Sequence, residues 1–529
     1  MDFRVLTPSY RNKRYSQSAT FNGLIAANGS SDTATVTDGS LVSGKATMAM
    51  VSASVPQVDP MTVNNSFYLQ DTVRLSRKAT VTFGGRWDVN PAPTVRNGDK
   101  PFALCDSELG ACSLTRQLPL YDTRWGNIAL RLGFTSLMSE RPGAEWVVRA
   151  GVGVFHDVGY GASTNAFNGA PYVSARNLVS PVFPLSAADR ALPALPQEPP
   201  YGQISAAERD LQSPAVYQWN LTFERNLGTA QVVSFGTAGS HGIRLLRTEV
   251  SRAATHAYDL LRLATNGAIS NYQSAQAQFR RRLARGLQAQ AAYTYGHAMD
   301  SASTDNALSG GFRTLFGSQM GNSDFDVRHT FSAAASYNLP APRAGVWRPV
   351  FGDWWLDGVA TARSSLPFDV QGITALPETL DTGETGALTS RGFFALVRPD
   401  YTGQPVWLAD GNAPGGKRLN PDAFATPADF RQGSLGRNSL RGFSMSQVDL
   451  ALRRVFRLRE GMSVSFAAQA LNMLNRGNFA NPSGLEGANM ASPNFGVATR
   501  LVSDSAGGGS AYFNRGGPRS VQFSLRVSF

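Results

Sequence analysis

The sequence predicts an all-β chain, an antiparallel transmembrane β-barrel. Three observations lead there. The last eleven residues, RSVQFSLRVSF, put Val521, Phe523, Leu525, Val527 and Phe529 on one face of an extended chain, and Ser520, Gln522, Ser524, Arg526 and Ser528 on the other. Segments with this period recur along the chain, and the connections between them are short and long by turns. No run approaches the ~18 consecutive apolar residues of a membrane-spanning helix. A closed barrel is the other structure that satisfies every backbone group inside a bilayer.

Composition agrees. In 529 residues there are 52 glycines, 10% aromatic and only 16% charged residues, and the mean hydropathy is -0.19. Such a chain is half apolar surface and half polar lumen and loop. The length suits one large barrel or several ordinary soluble domains. A soluble edge strand ending on a bare aromatic would invite aggregation, whereas an outer-membrane barrel strand does not meet that problem. The formal charge of +11 first suggests nucleic acid. Yet the basic residues are dispersed, with RRLAR at 281–285 the one tight cluster, and no helix-turn-helix, zinc-finger or RRM pattern focuses them. That cluster reads as a solvated turn, and no nucleic-acid partner is expected.

Along the chain, residues 1–43 are polar and read as an irregular segment or the remnant of an earlier barrel loop, with the barrel occupying 44–529. The stretch 45–56 is a weakly patterned first strand. Phe67, Leu69, Val73 and Leu75 then share a face against Tyr68, Gln70, Thr72 and Arg74. After a turn at 76–78, Val81, Phe83 and Trp87 alternate with Thr80, Thr82 and Arg86, which makes a hairpin. A Pro/Gly/Asp-rich segment, 90–126, holds Cys105 and Cys112. Two thiols are too few for a metal site and no histidine lies nearby. A small loop-closing disulfide in an oxidising compartment is the expectation.

The pattern resumes with Ile128, Leu130, Leu132 and Phe134, turns at 139–144, and returns through Trp146, Val148, Ala150, Val152 and Val154. A long loop (156–213) leads to Tyr217, Trp219, Leu221 and Phe223, a turn at 226–228 and a less regular return at 231–238. A loop over 240–271 precedes Ala275, Ala277 and Phe279, which alternate with Gln276, Gln278 and Arg280. Beyond the turn at 283–286, Leu287, Ala289, Ala291, Tyr293 and Tyr295 run back against Gln288, Gln290 and Thr294. After a loop at 300–324, Phe331, Ala333, Ala335 and Tyr337 form a face, and a Pro-rich turn reaches Trp354, Leu356, Gly358 and Ala360. The largest loop, 367–441, precedes Val448, Leu450 and Leu452. Met462, Val464, Phe466, Ala468 and Ala470 follow a turn at 457–461. A last loop, 475–518, delivers the terminal strand.

About fourteen strands of roughly 9–12 residues result, the length a tilted membrane strand needs. The terminal strand follows a long loop, so its end lies on the short-turn side. Outer-membrane barrels have short periplasmic turns, long extracellular loops and a periplasmic C-terminus. A soluble sandwich or propeller predicts neither the alternation of loop lengths nor strands this long. Aromatics near strand ends (Trp87, Phe155, Trp354, Phe456 and Phe529) are expected in an interfacial girdle.

Five segments carry a resemblance. They are SFYLQDTVRLSRKATVTFGGRWDVNPAP (66–93), VYQWNLTFERNLGTAQVVSFGTAGSHGIRLLR (216–247), NYQSAQAQFRRRLARGLQAQAAYTYGHAMDSAS (271–303), GNSDFDVRHTFSAAASYNLP (321–340) and LRGFSMSQVDLALRRVFRLREGMSVSFAAQALNMLNRGNFANP (440–482). In this order they resemble the barrel region of the Oar-like TonB-dependent receptors, which often carry a carboxypeptidase-regulatory-like domain. The resemblance implies a Gram-negative outer-membrane receptor that binds an extracellular ligand and passes it inward, with outer-membrane lipid, the TonB system and the barrel-assembly machinery as partners. It implies that Phe529 is the terminal assembly signal. It also implies about 14–16 strands of a probable 22-stranded architecture. The N-terminal MDFRVLTPSYRNKRYS has no apolar signal-peptide core, and no plug domain is evident. The expectation is therefore the C-terminal portion of such a barrel, truncated at its N-terminus.

Arg86, Arg131, Arg149, Gln276, Gln278, Arg280, Gln288 and Gln290 are the expected lumen-lining residues, joined by Gln469 and Gln522. They either guide a solute, a basic lumen favouring anions, or simply solvate the lumen and contact a plug. His156 with Asp157, His297 with Asp300, and the segment NSDFDVRH at 322–329 are where histidines and carboxylates gather. The last offers oxygens to a divalent cation but lacks EF-hand spacing. Without GxSxG or HExxH, catalysis is not expected, and no cofactor is implied. Two other functions stay open: a passive porin or translocator barrel, and a non-enzymatic surface or adhesion scaffold using the long loops.

Overall fold

In the computed structural model the alternating segments pair into one 18-stranded sheet. The structure describes residues 48–96, 98–104, 114–157, 201–251, 258–304, 320–340, 352–375, 394–427, 432–459, 461–482 and 515–529, with shorter stretches within 2–45, 166–199, 308–312 and 487–505. Fourteen strands succeed one another as antiparallel neighbours. The first seven are β1 (Asp2–Leu6), β2 (Pro60–Arg74), β3 (Ala79–Val89), β4 (Asn127–Ser139), β5 (Trp146–His156), β6 (Ala215–Leu227) and β7 (Gln231–Ser251). The others are β8 (Tyr258–Ala284), β9 (Leu287–Asp300), β10 (His329–Asn338), β11 (Trp354–Arg363), β12 (Met445–Arg459), β13 (Met462–Leu471) and β14 (Ser520–Ser528). The remaining strands of the sheet are short loop segments paired onto its rim. β1 and β14 stand at the two ends of the strand order, with no pairing between them among the described residues.

Short connections lie at one end of the ladder. The tightest joins β8 to β9 through Arg285 and Gly286, both at positive φ (53° and 77°). That is the type I′ geometry whose twist matches the flanking strands, and glycine reaches it without strain.

The first strand differs from the sequence expectation. Asp2–Leu6 pairs with β2 from Asp2↔Ser66 to Leu6↔Thr62, so at least these residues of the supposedly irregular segment are sheet. The stretch near 45–56 is not in the ladder. Met48–Ser54 pairs instead with Tyr15–Phe21 and Val173–Val179 in a separate six-stranded sheet. The loop expected over 240–271 is largely strand as well. β7 is 21 residues long and β8 is 27. At about 3.3 Å per residue β8 extends roughly 90 Å, far more than the ~9–11 residues of a membrane strand. The hairpin therefore continues well beyond any bilayer, where Tyr201–Ala207 pairs parallel with it.

The burial pattern is inverted relative to a soluble sheet. Leu69 (81% exposed), Phe523 (73%) and Leu525 (69%) lie open on the apolar face of the ladder. In water a patch of this size is unstable, and in lipid it is the contact surface. The closed apolar cores sit in the connections. One gathers Ile204, Leu261 and Leu263 around Phe102, Tyr201 and Tyr258. Another packs Phe368, Val370, Leu419, Phe424, Leu440 and Phe495. The long loops are thus folded bodies, built on the rim opposite the short turns. No helix among the described residues is long and apolar enough to cross a membrane. Cys105 and Cys112 lie outside the described residues.

Candidate functional site

Pairing registers place the predicted polar residues on one face. Arg86 pairs with Ala129, two residues from Arg131, and Arg131 pairs with Gly153, four residues from Arg149. Arg149 pairs with Thr222, Thr222 with Gly236, and Gly236 with Gln276. Gln278 and Arg280 follow Gln276 at period two, and Arg280 pairs with Gln290, two residues from Gln288. All eight therefore share the face opposite Leu69, Phe83 and Trp219. Gln522 pairs with Gln469 on that face, and its amide donates to the Gln469 Oε1.

Much of the charge on this face is neutralised locally. Arg86 Nε donates to Asp88 Oδ1 at 2.8 Å and its Nη2 to Ser66 Oγ at 2.7 Å. Arg149 meets Glu224 at 3.4 Å, and Arg453 is paired with Asp357. The Arg131 guanidinium stacks 4.5 Å above the Phe155 ring. Phe155 is accordingly a polar-face residue and not part of an outer girdle. The other expected aromatics do gather on the apolar face. Trp87 packs with Phe67 at 5.6 Å and with Trp125 at 6.4 Å. Trp354 packs edge-on against Phe456 and Phe466. Between β6 and β11 the polar face hollows into a cavity of about 610 Å³, bordered by Glu224, Gln278, Arg280, Arg282, Gln290 and Arg515 among others.

The rim carries a second polar cluster. Arg437, from the largest loop, donates through Nη1 to Asp300 Oδ1 at 2.6 Å and to the Asp300 carbonyl at 2.7 Å. Its Nη2 reaches Ser303 Oγ at 2.7 Å. Next to it, the Asn438 side-chain amide donates to Asp324 Oδ1 at 2.6 Å and to the Asn322 carbonyl at 2.8 Å, while the Asn322 amide returns a bond to the Asn438 carbonyl at 2.8 Å. Asp326 accepts from the Ala298 amide at 2.7 Å and from Arg328 at 3.0 Å, and Arg441 is paired with it too. Burial alone would raise the Asp326 carboxyl, but that amide and the two guanidinium groups together hold it below the usual carboxylate range. Asp369 goes the other way: burial raises it, although it accepts from the Asn438 amide.

The same geometry bears on the NSDFDVRH segment. Its acids are already matched by Arg328, Arg437 and Arg441, so they act as a clamp between loops and not as open ligands. No group of three or more His, Cys, Asp or Glu among the described residues could hold a metal ion. His297 Nε2 accepts from Arg328 Nη2 at 2.8 Å, which engages it in the clamp as well. His156 Nε2 lies 3.4 Å from the Ile128 carbonyl. Arg437 and Arg441 escaped the sequence reading because an arginine in the long loop between Arg363 and Met445 has no periodicity to mark its partner.

A sheet with one lipid-type face, one polar face, short turns at one rim and folded loops at the other is the architecture of an outer-membrane protein. The model of the outer membrane beta barrel domain matches residues 1–522. The chain belongs to that family. It is an outer-membrane transmembrane β-barrel protein of a Gram-negative type. No curated protein matches the chain in a sequence comparison. Among solved structures it is similar to the ferric-catecholate import receptor Fiu of E. coli K12, at 9% identity and a TM-score of 0.42, over 99% of this chain and 54% of that one. It is similar to the pyoverdine outer membrane receptor FpvA of Pseudomonas aeruginosa PAO1, at 10% identity and a TM-score of 0.43, over 100% and 52%. The siderophore receptor PirA of Acinetobacter baumannii gives 10% and 0.41, over 99% and 55%. The chain thus spans about half the length of these receptors.

Proposed function

We propose that this barrel belongs to an outer-membrane receptor of the TonB-dependent, Oar-like type, which binds an extracellular ligand in its loops and passes it along the polar face. That face is then the lumen, lined by Arg86, Arg131, Arg149, Gln276, Gln278, Arg280, Gln288 and Gln290. The observation that carries the reading is the folded loop cap. Arg437 and Arg441 of the loop between β11 and β12 fasten it to the β9–β10 connection, over a sheet one face of which carries the arginines and glutamines named above. A passive porin needs an open mouth, whereas a receptor needs loops rigid enough to recognise. The segments quoted above support the Oar-like type, and with it the TonB system as energy source, the barrel-assembly machinery acting through Phe529, and a Cys105–Cys112 disulfide. No catalytic role is proposed.

The test compares three strains: wild type, a deletion of this gene and a deletion of tonB. Mass spectrometry follows which components of the medium each strain depletes. The receptor reading expects at least one solute that wild type removes and both deletions leave. A solute lost only in the gene deletion, together with a large steady conductance of the purified protein in planar bilayers, assigns the porin function instead.

A further inference from the structure

Positive charge on the polar face is unevenly matched. Arg86, Arg149 and Arg453 have carboxylate partners, and Arg131 has a ring. Arg280, Arg282 and Arg515 border the cavity of about 610 Å³, and none of the three is paired with a carboxylate among the described residues. Arg280 and Arg282 stand two positions apart in β8, so their side chains leave the same face about 7 Å apart. Arg515 approaches from the connection that precedes β14. That connection is fastened: the Gly516 amide donates to Gln447 Oε1 at 2.7 Å, and the Gly517 carbonyl accepts from the Asn472 amide at 2.9 Å. Three cations therefore face one space from two directions. The acid bordering it, Glu224, is already engaged by Arg149. Gln278, Gln290, Ser332 and Thr361 complete the wall with neutral hydrogen-bonding groups.

Like charges held together without a counter-ion repel, and a concave wall of one sign concentrates ions of the other. Guanidinium forks match the oxygens of carboxylate and phosphate in a bidentate way. We propose that this cavity is an anion subsite, taking a solute that carries two or more clustered carboxylate or phosphate groups. It rests on the reading of the polar face as the lumen.

The test uses the full chain folded in detergent, with folding verified by heat-modifiable migration on a gel. Isothermal titration is run with inorganic tripolyphosphate, with tricarballylate and with maltotriose. Binding of tripolyphosphate assigns phosphate, binding of tricarballylate assigns carboxylate, and either supports the subsite, provided that maltotriose does not bind at the same concentration. The R280Q/R282Q/R515Q variant should bind at least tenfold more weakly. R526Q, which removes a guanidinium from the same face of β14 away from the cavity, should stay within twofold of wild type. The proposal is overturned if folded wild type binds neither anion, or if the triple variant binds as tightly as wild type. Titration in detergent needs no energised import, so failure of TonB-dependent uptake would leave the result standing. Loss of heat-modifiable folding in the wild-type chain would count against the barrel reading itself.

Discussion

Arg437 Nη1 lies 2.6 Å from Asp300 Oδ1, although 137 positions separate the two in the chain. Their side chains are 11% and 3% exposed. Desolvating both charges is costly, and only the close geometry offsets it, so losing one partner costs more than the pair contributes. Arg437→Met leaves Asp300 buried without its cation, at roughly 3–5 kcal/mol of local stability. The expected outcome is selective: limited proteolysis should cut the 364–444 loop much faster while heat-modifiable migration is kept. R437M/D300N should recover part of the protection, because the orphaned charge is then gone. Unchanged cleavage in R437M would mean that the loop is held by its apolar core alone.

Acid should loosen the same junction. The folded Asp326 carboxyl sits below its ordinary value, and the ordinary value is about 3.9. A depressed carboxylate contributes stability in full above its unfolded value and loses it as the pH falls through the folded one. Hydrogen exchange of the Ala298 amide, which donates to Asp326, should therefore be flat above about pH 5 once corrected for intrinsic rates, and should accelerate below about pH 4. In Asp326→Asn that acid-dependent acceleration should vanish. Asp369, raised by burial, acts oppositely, since its protonation at low pH removes a buried charge. A net gain of protection on acidification would show that Asp369 dominates the junction.

The membrane-facing ladder was legible and the loops were not, for one physical reason. In β14 the residues Val521 to Phe529 alternate because lipid lies on one side and water on the other, and the register with β13 keeps Val521, Phe523, Leu525 and Val527 opposite Ala470, Ala468, Phe466 and Val464 on one face. Nothing imposes it beyond the bilayer. Glu249, Leu263, Ala264 and Thr265 are all buried in the upper part of the β7–β8 hairpin, so apolar and polar residues occur there in no fixed period and the stretch read as loop. Asp2–Leu6 was missed because five residues hold too few alternations, although Phe3 and Val5 do share one face, opposite Asn65 and Val63. The stretch 45–56 has alternation of a kind, but Ala49, Val51 and Ala53 are buried within another sheet. The polar-face arginines were readable as a face. Asp88, two positions from Arg86 in the same strand, follows from the period as well, but Glu224 and Asp357 become partners of Arg149 and Arg453 only through register and packing.

Orientation of the terminal strand can be tested with adjacent positions. Phe523 faces the medium on the apolar side, and Ser524 takes the other face. Arginine on the lipid face near mid-membrane costs about 2–4 kcal/mol, and on the lumen side far less. Phe523→Arg should shift the urea midpoint for folding into phosphatidylcholine vesicles markedly, and Ser524→Arg should barely move it. The reverse order would place the polar face toward lipid.

Phe529 ends the chain fully open, at 96% exposure, one residue beyond the last paired position, Ser528 opposite Ser463. So open a side chain acts outside the sheet, either on lipid as a girdle aromatic or in recognition before folding. We predict the second, and the two roles part in experiment. Deleting Phe529 should lower the amount of assembled, heat-modifiable protein in the outer membrane several-fold at unchanged synthesis. Refolding of the purified, urea-denatured chain into detergent should proceed at the wild-type yield, because no assembly machinery takes part. Equal losses in both measurements would make Phe529 a stabilising girdle residue, and the role in recognition would be withdrawn.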